Sequence, residues 1–354
     1  MQYNRLLRAA VIAVVIAVLG FFIQLDYFLI RPSRAVDLRD LISVENAVEN
    51  DRGATYLLTV TQQRATPLTA IYGILHPHMD LNPVERVIPR DMTEEEYREL
   101  LAENMIESRH LAQVVALRRS GFDVDIKSEG VKIVGFLEDA PAEGILEEDD
   151  LILSVNGTPV FLATEVPLLV QAREVGEEVL LTVNRNSKEL ELLIPTGEHP
   201  DDPDMPYLGI FIQTLPWEPV IPLDINMDTG RIGGPSAGLM FVLEIMNQLS
   251  KDDITAGYNI AGTGSIDLNE KIGRIGGVPQ KVITAEKADA DIFFVPKGNY
   301  EEAEKAARKI EVVPVSDLEE ALQYLDSLKS NISLKGGNGS GSFDTVRLKV
   351  LYFK

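Results

Sequence analysis

Apolar and polar residues change their spacing several times along the chain, and each change predicts a different element. Residues 9–23 form an unbroken apolar run, AAVIAVVIAVLGFFI. With Gln24, Leu25, Asp26 and the apolar tetrad Tyr27–Ile30 the segment reaches about 22 residues, the length that crosses ~30 Å of hydrocarbon. Arg5 and Arg8 precede the run, and Arg31 and Arg34 follow it, so the flanking charges barely define an orientation.

We interpret residues 1–35 as a short tail and a single-pass transmembrane anchor. A short N-terminal tail normally stays inside, which puts the bulk of the chain on the extracytoplasmic side of the cell membrane. The alternatives are a cleaved signal peptide and a buried core helix. Ser33–Arg34–Ala35 is a poor small-x-small cleavage site, and a core helix rarely opens a chain with so continuous a run. Whether the anchor is cleaved stays open.

Region 36–121 is predicted to be a small α/β region. The β-branched and aromatic residues of Ala54–Thr61 and Pro67–Leu75 favour two strands. Residues 92–121 predict a helix, because Thr93 is a good N-cap with acidic residues near the third helical position. Gly121 is a plausible C-terminal stop. His76 and His78 are predicted to lie in a solvated loop, since no further ligands accompany them.

Region 122–198 contains strand-like segments around one short helix. Gly130–Leu137 predicts a strand, and Asn156–Gly157 suits the positive-φ positions of a tight hairpin turn. Leu162–Gly176 predicts an amphipathic helix that Pro167 interrupts early. Two further strands complete the region.

A linker, His199–Pro206, leads to region 207–330, in which strands and helices alternate. Pro235–Ser250 is nearly all apolar and predicts a buried helix. Residues 331–354 are predicted to be a flexible linker with a C-terminal segment of undefined role. The predicted fold class is therefore a multidomain α/β (α+β) protein.

Composition excludes several classes of function. The formal charge is −22, from 33 basic and 55 acidic residues, which disfavours nucleic acid as a partner because phosphate is repelled. The chain has no cysteine and four histidines. Thiolate metal sites and a cysteine nucleophile are thereby excluded, and we predict neither a metal nor a cofactor.

Ser236 is the candidate nucleophile. Residues 234–238, GPSAG, fit the pattern G-x-S-x-G, which is typical of hydrolase nucleophiles. An α/β-hydrolase needs a histidine after the serine, and none occurs beyond His199. A lysine is the alternative base. Ser236 could instead be only the N-cap of a buried helix.

Lys281 is the candidate base. A lysine base must be neutral near pH 7, and burial and a helix N-terminus both disfavour its cation. Gly276–Gly277 precede Lys281, Pro279 suits the first helical turn, and the neighbouring helical positions are small or apolar. The other lysines of this region lie in polar segments or at a helix end. Free backbone N–H groups near residues 234–237 are expected to hold an oxyanion.

The segment from Ala140 to Val160, APAEGILEEDDLILSVNGTPV, resembles the PDZ domains of bacterial proteases. Glu148–Asp149–Asp150 replaces their usual Gly-Asp. The resemblance implies that residues 122–198 bind a peptide as an extra strand beside Val131–Gly135, with Gly130, Val131 and Ile133 as contacts. A small α/β domain without a peptide role is the alternative.

Several ordered motifs in region 207–330 resemble the proteolytic domain of Lon. They are a P-S-A-G segment, T-G-x-I at 263–266, and I-G-G at 275–277 followed four residues later by lysine. The resemblance implies a Ser236–Lys281 dyad, with Thr263 as the hydrogen-bond partner of the lysine and Gly234 and Ala237 supporting the site. Gly233–Gly234 stand where many Lon proteins have Asp-Gly.

The whole chain is similar to membrane-anchored, PDZ-containing Lon-like proteases. It has no G-x-x-x-x-G-K-[ST] motif, so we expect an ATP-independent serine endopeptidase that cleaves unfolded or exposed protein segments. A homo-oligomer is compatible with this class. Two other functions stay open. One is a membrane-tethered peptide-binding scaffold with an inactive Lon-like domain, and the other is an esterase.

Overall fold

The structure is a computed structural model that describes residues 23–48, 52–88, 92–137, 140–199 and 202–336. The chain forms two compact units. The first combines Met1–Phe122 with Leu223–Lys354, and the second is Asp123–Pro222. This division differs from the predicted one, because regions 36–121 and 207–330 share one unit and the strand at Ile210 belongs to the other.

The described residues contain both helices and strands in each unit. The helices are α1 (Pro67–Leu75), α2 (Val84–Val87), α3 (Glu94–Arg119), α4 (Glu165–Val170), α5 (Gly238–Leu249), α6 (Val278–Lys287), α7 (Tyr300–Ala306) and α8 (Leu318–Gly336). The strands are β1 (Tyr27–Asp37), β2 (Ile42–Val44), β3 (Ala54–Arg64), β4 (Asp80–Pro83), β5 (Asp125–Ser128), β6 (Val131–Phe136), β7 (Leu151–Val155), β8 (Thr158–Pro159), β9 (Glu178–Arg185), β10 (Lys188–Pro195), β11 (Gly197–His199), β12 (Asp202–Tyr207), β13 (Ile210–Thr214), β14 (Trp217–Val220), β15 (Ile225–Met227), β16 (Asn259–Gly262), β17 (Ser265–Ile266), β18 (Ile272–Gly273), β19 (Ile292–Pro296) and β20 (Glu311–Val315).

A six-stranded mixed sheet forms the centre of the first unit, in the order β20-β19-β16-β3-β1-β4. Strands β3, β16, β19 and β20 run parallel, whereas β1 is antiparallel to β3 and β4. All five residues of β19 are buried, as expected for a central parallel strand. Helix α5 is buried along almost its whole length, and helix α6 packs on β1 and β3.

The predicted anchor lies mostly outside the described residues, which begin at residue 23. Within those residues no helix has both the length and the apolarity to cross a bilayer. The prediction that Tyr27–Ile30 extends the anchor is wrong, because these residues begin β1 and pair with β3 and β4. The predicted boundary at residue 35 therefore falls inside a strand.

Three other predictions of secondary structure need correction. Pro67–Leu75 is helix α1 rather than a strand, because Thr66 and Thr69 form a capping box and Pro67 occupies the first turn. The predicted linker His199–Pro206 lies largely in the paired strands β11 and β12. The predicted flexible segment after residue 330 is helical as far as Gly336, since α8 continues to that residue.

The second unit is built on an antiparallel sheet in the order β10-β9-β7-β6-β13, with β8 paired to β7. Its core consists of the inward residues of these strands together with Val166 and Val170 of α4. Asn156 and Gly157 have φ values of 51° and 76°, as predicted for the tight turn between β7 and β8. Helix α4 is shorter than predicted and begins two residues before Pro167.

Candidate active site

Ser236 lies in a turn two residues before helix α5, and its side chain is only partly buried. Helix α3 holds this turn in place. The N–H of Gly234 donates to the carbonyl of Leu101 at 2.7 Å, and Ser108 Oγ donates to the carbonyl of Pro235 at 3.2 Å. Gly234 has φ +90°, a conformation that favours glycine. The serine is thus presented from a turn that is fixed on its buried side.

Lys281 is the fourth residue of helix α6 and is only 3% exposed. Gly277 takes the left-handed conformation that begins the helix, Pro279 occupies the first turn, and the Lys281 N–H closes the turn on the Gly277 carbonyl. Burial lowers the pKa of Lys281 from 10.5 to about 7. The sequence predicts a buried lysine near the start of a helix with a lowered pKa, and the structure has both features.

Thr263 follows β16 and completes a three-residue cluster. Lys281 Nζ lies 2.7 Å from Ser236 Oγ and 2.9 Å from Thr263 Oγ1. Thr263 Oγ1 in turn donates to the Ser236 carbonyl at 3.0 Å. The structure therefore brings together all three side chains that the sequence singled out. It adds a contact that was not predicted, in which Thr263 touches the nucleophile's own backbone.

The backbone around Thr263 fixes its position. Its N–H donates to the carbonyl of Phe294 in β19 at 3.0 Å. The next residue, Gly264, donates its N–H to the Ser236 carbonyl at 2.9 Å. Two hydrogen bonds thus reach that carbonyl, which ties the serine turn to the end of the central sheet.

Gly234 cannot serve as an oxyanion donor in the way the sequence analysis expects, because its N–H is bonded to Leu101. Within the described residues, by contrast, no acceptor lies at hydrogen-bond distance from the N–H of Ser236 or of Ala237. Gly234 instead supplies the turn conformation. The contributions of Leu101 and Ser108 were missed, although Ser108 is a polar residue on the buried face of α3.

The predicted peptide contacts Gly130, Val131 and Ile133 need correction. Strand β6 pairs with β7 on one side and with β13 on the other, with Ile133 opposite Ile212 and Val131 opposite Thr214. A peptide cannot add beside Val131–Ile133, because both edges of this part of the strand are occupied. A Cβ at Gly130 would lie 2.6 Å from the Ile152 carbonyl, so this glycine allows a close backbone approach inside the sheet.

Strands β10 and β13 lie at the two edges of this sheet, and β13 is the one next to β6. Within the described residues nothing pairs with its outer edge. The burial of Ile210–Thr214 alternates, and Phe211 is exposed. Ala163, just before α4, donates its N–H to Thr214 Oγ1 at 3.0 Å, so the loop leading to this helix lies beside the end of the strand.

No group of three or more histidine, aspartate or glutamate side chains suitable for a metal ion occurs in the part of the chain that the structure describes. His76 and His78 face each other with ring centroids 5.7 Å apart. They lie between α1 and β4 and are not part of the Ser236 cluster.

Comparison with known proteins shows that the part of the chain around Ser236 and Lys281 is similar to a serine-peptidase domain. Residues 224–326 match the family model for the Lon protease (S16) C-terminal proteolytic domain. The Lon protease of Metamycoplasma arthritidis is 34% identical over 114 residues, which are 30% of this chain and 13% of that protein. The Lon protease of Campylobacter jejuni is 34% identical over 96 residues, 26% of this chain and 12% of that protein.

Other similarities concern PDZ domains and DegP-like proteases. A probable periplasmic serine endoprotease, DegP-like, of Pseudomonas putida is 39% identical over 77 residues, which are 22% of this chain and 16% of that protein. The PDZ domain of the SdrC-like protein from Listeria innocua is 26% identical and aligns with a TM-score of 0.23, covering 25% of this chain and 98% of that domain. The matches thus span less than a fifth of the curated relatives' length. The chain therefore contains one region similar to the Lon proteolytic domain and a stretch of 77 residues similar to a DegP-like protease.

Proposed function

We propose that this chain is an ATP-independent serine endopeptidase in which Ser236 and Lys281 form the catalytic dyad. The observation that carries this proposal is the 2.7 Å distance between Lys281 Nζ and Ser236 Oγ, in a site where burial brings the pKa of the lysine to about 7. A buried amine that is neutral at working pH and touches a partly accessible hydroxyl is the arrangement that activates a nucleophile.

Thr263 sets the direction of proton transfer. Because its O–H donates to the Ser236 carbonyl, its oxygen accepts one N–H of the amine. The lone pair of neutral Lys281 is then free to accept the Ser236 proton. As Oγ attacks the scissile carbonyl, this proton moves to Nζ. It is later delivered to the leaving amine when the C–N bond breaks. Water releases the acyl group through the same base.

In this proposal the backbone N–H groups of Ser236 and Ala237 are the donors that bind the oxyanion. Both precede the first turn of α5, where the helix dipole favours negative charge. Neither has a competing acceptor within the described residues, in contrast to Gly234. Two donors at this point would stabilise the charge that develops only in the transition state.

We propose that substrate capture takes place at the outer edge of β13 rather than beside β6. The Gly209 carbonyl accepts from Leu137 N–H on the β6 side. The next residue, Ile210, therefore directs its backbone groups to the outer edge. Ile212 lies opposite Ile133, whose N–H and carbonyl both bond to the β7 side, so the backbone groups of Ile212 face the outer edge as well. An extended peptide can pair with these groups. Two exposed apolar side chains are available to it, Phe211 on β13 and Leu168 on α4.

We further propose that residues 9–23 anchor the protein in the cell membrane, with the rest of the chain on the extracytoplasmic side. The support is the continuity of the apolar run. As a helix its 15 residues would be about 22 Å long, so the anchor requires a bilayer that is locally thinner than the usual ~30 Å. The sequence has no phosphate-binding loop motif, so the protein would not use ATP to unfold its substrates. Its substrates would therefore be exposed tails or segments that are already unfolded.

The test is degradation of casein by the full-length chain in detergent, compared with Ser236→Ala and Lys281→Met. Each variant should lower kcat by at least about a hundredfold, and ATP should not change the rate for the wild type. Lys287→Met is the matched control, because Lys287 is exposed on the same helix. Equal slow degradation by the wild type and Ser236→Ala would favour the inactive scaffold instead.

A further inference from the structure

Helix α1 turns its large apolar side chains outward. Leu68, Ile71, Tyr72 and Leu75 are all exposed, and Ile74 beside them is exposed as well. The spacing i, i+3, i+4, i+7 places the first four on one helical face. Gly73 is buried on the inward face, where an added Cβ would lie 2.6 Å from Leu29 Cδ1. An apolar face of this size on the surface marks an interaction site.

The segment that carries this face has no acidic residue, lysine or arginine. From Ala65 to Met79 the sequence has no Asp, Glu, Lys or Arg, although these residues make up 25% of the chain. In a protein with a formal charge of −22, this segment can approach hydrocarbon without desolvating an ion. Tyr72 has the amphipathic ring that suits the boundary between lipid and water.

Hydrogen bonds join the residue pair before α1 to the residues that follow Ile23, where the apolar run ends. The Leu25 N–H donates to the Ala65 carbonyl at 2.8 Å, and the Ala65 N–H donates to the Tyr27 carbonyl at 2.8 Å. Ile23 is two residues from Leu25, and Pro67 is two residues from Ala65. Ile23 and Pro67 are therefore less than about 20 Å apart. If residues 9–23 cross a bilayer, α1 starts at its surface.

We propose that helix α1 is a second membrane contact, with Leu68, Ile71, Tyr72 and Leu75 seated in the lipid headgroup–acyl boundary. The proposal rests on the anchoring role proposed above for residues 9–23. An interfacial helix of this kind lies in the plane of the membrane with its apolar face down. Since α6, which carries Lys281, packs on β1 and β3, this contact fixes the height of the candidate dyad above the lipid.

The absence of cysteine makes a site-specific test direct. Single variants Ile71→Cys and Leu75→Cys, at positions 58% and 78% exposed, carry an environment-sensitive fluorophore on the α1 face. Ile106→Cys is the matched control. This residue is 45% exposed and lies about 18 Å along α3 from its first turn. The full-length chain is reconstituted in vesicles of phosphatidylcholine with a quarter phosphatidylglycerol, and a cooperative thermal transition at the wild-type Tm confirms that each labelled protein is folded.

The expected result is that probes at positions 71 and 75 are quenched several-fold more by nitroxide lipids, and several-fold less by aqueous iodide, than the probe at position 106. Flotation of the vesicles separates the two proposals. If the chain floats with the vesicles but the probes at 71 and 75 behave like the control, only the α1 contact is refuted. If the chain does not float, both the anchor and the contact are refuted. Protection from iodide without lipid quenching, lost on dilution, would identify a second copy as the occupant and overturn the proposal.

Discussion

Replacing Lys281 with methionine should stabilise the protein at neutral and acidic pH while abolishing proteolysis. The native state holds this amine buried beside two neutral hydroxyls, which disfavours its charged form. The unfolded state solvates the amine and binds a proton more readily. Between pH 7 and 10.5 the unfolded chain therefore carries more protons, and the stability of the wild type rises with pH across this window.

The magnitude follows from the shift in pKa. A change from 10.5 to about 7 corresponds to a penalty of about 5 kcal/mol that is complete below pH 7 and absent above pH 10.5. Methionine has no charge and fills a similar length. It loses the hydrogen bonds to Ser236 and Thr263, at about 1 kcal/mol each at every pH. The variant should gain roughly 3 kcal/mol at pH 6 and lose roughly 2 kcal/mol above pH 10.5.

Thermal unfolding of the full-length chain in detergent measures this difference at pH 6, 8 and 10. A gain of 3 kcal/mol corresponds to a Tm higher by roughly 6–12 °C at pH 6. The gain should shrink as the pH rises. Lys287→Met, on the exposed side of the same helix, should show no such trend. A Tm difference between Lys281→Met and the wild type that is constant from pH 6 to 10 would mean that Lys281 keeps its proton in the native state, which refutes its role as a base.

Four further outcomes are expected. The kcat/KM of the wild type should rise about tenfold per pH unit below the lysine pKa of about 7 and level off above it; a flat profile from pH 5 to 9 would exclude Lys281 as the titrating base. Thr263→Val should lower kcat about tenfold or more with little change in KM, because the lysine loses its orienting acceptor, whereas Thr263→Ser should restore most of the rate. Ile212→Pro removes one N–H at the outer edge of β13 and should raise the KM for casein without lowering kcat; an unchanged KM argues against capture there. Glu244→Gln should leave Tm unchanged at pH 4 and raise it relative to the wild type at pH 8, because burial raises the pKa of Glu244 and the wild type loses stability as pH rises through that value; a Tm lower than the wild type at pH 8 would contradict this.

The candidate dyad could be predicted from the sequence because its determinants are local. The left-handed turn at Gly277, Pro279 in the first turn and the small neighbours of Lys281 all lie within one helix, and their combination indicates a buried amine. The turn that presents Ser236 is likewise encoded by a few adjacent residues. What the sequence could not supply was the partner of Gly234, since Leu101 is more than a hundred positions away and contributes a backbone carbonyl.

The predicted peptide site failed for the opposite reason. Whether an edge of β6 is open depends on which strand pairs with it, and the partner β13 lies about 75 residues further along the chain. The predicted boundary at residue 198 placed that strand in another domain. A resemblance of local motifs identifies the kind of domain, but the free edge of a sheet is a property of its complete strand order.

Helix α1 shows that periodicity defines a face without defining its direction. Residues at i, i+3, i+4 and i+7 are apolar in helices that pack on a core and equally in helices that lie on lipid. The direction follows from the small residues instead. Gly73 is buried against Leu29, and a Cβ there would force the leucine side chain to shift, which favours the glycine face pointing inward and the large residues pointing outward. The Thr66–Thr69 capping box and Pro67, which define the helix, are also readable in the sequence. A strand prediction based on β-branched content alone overlooks the helix start and the position of the glycine. It therefore also overlooks the apolar surface that a neighbouring membrane would contact.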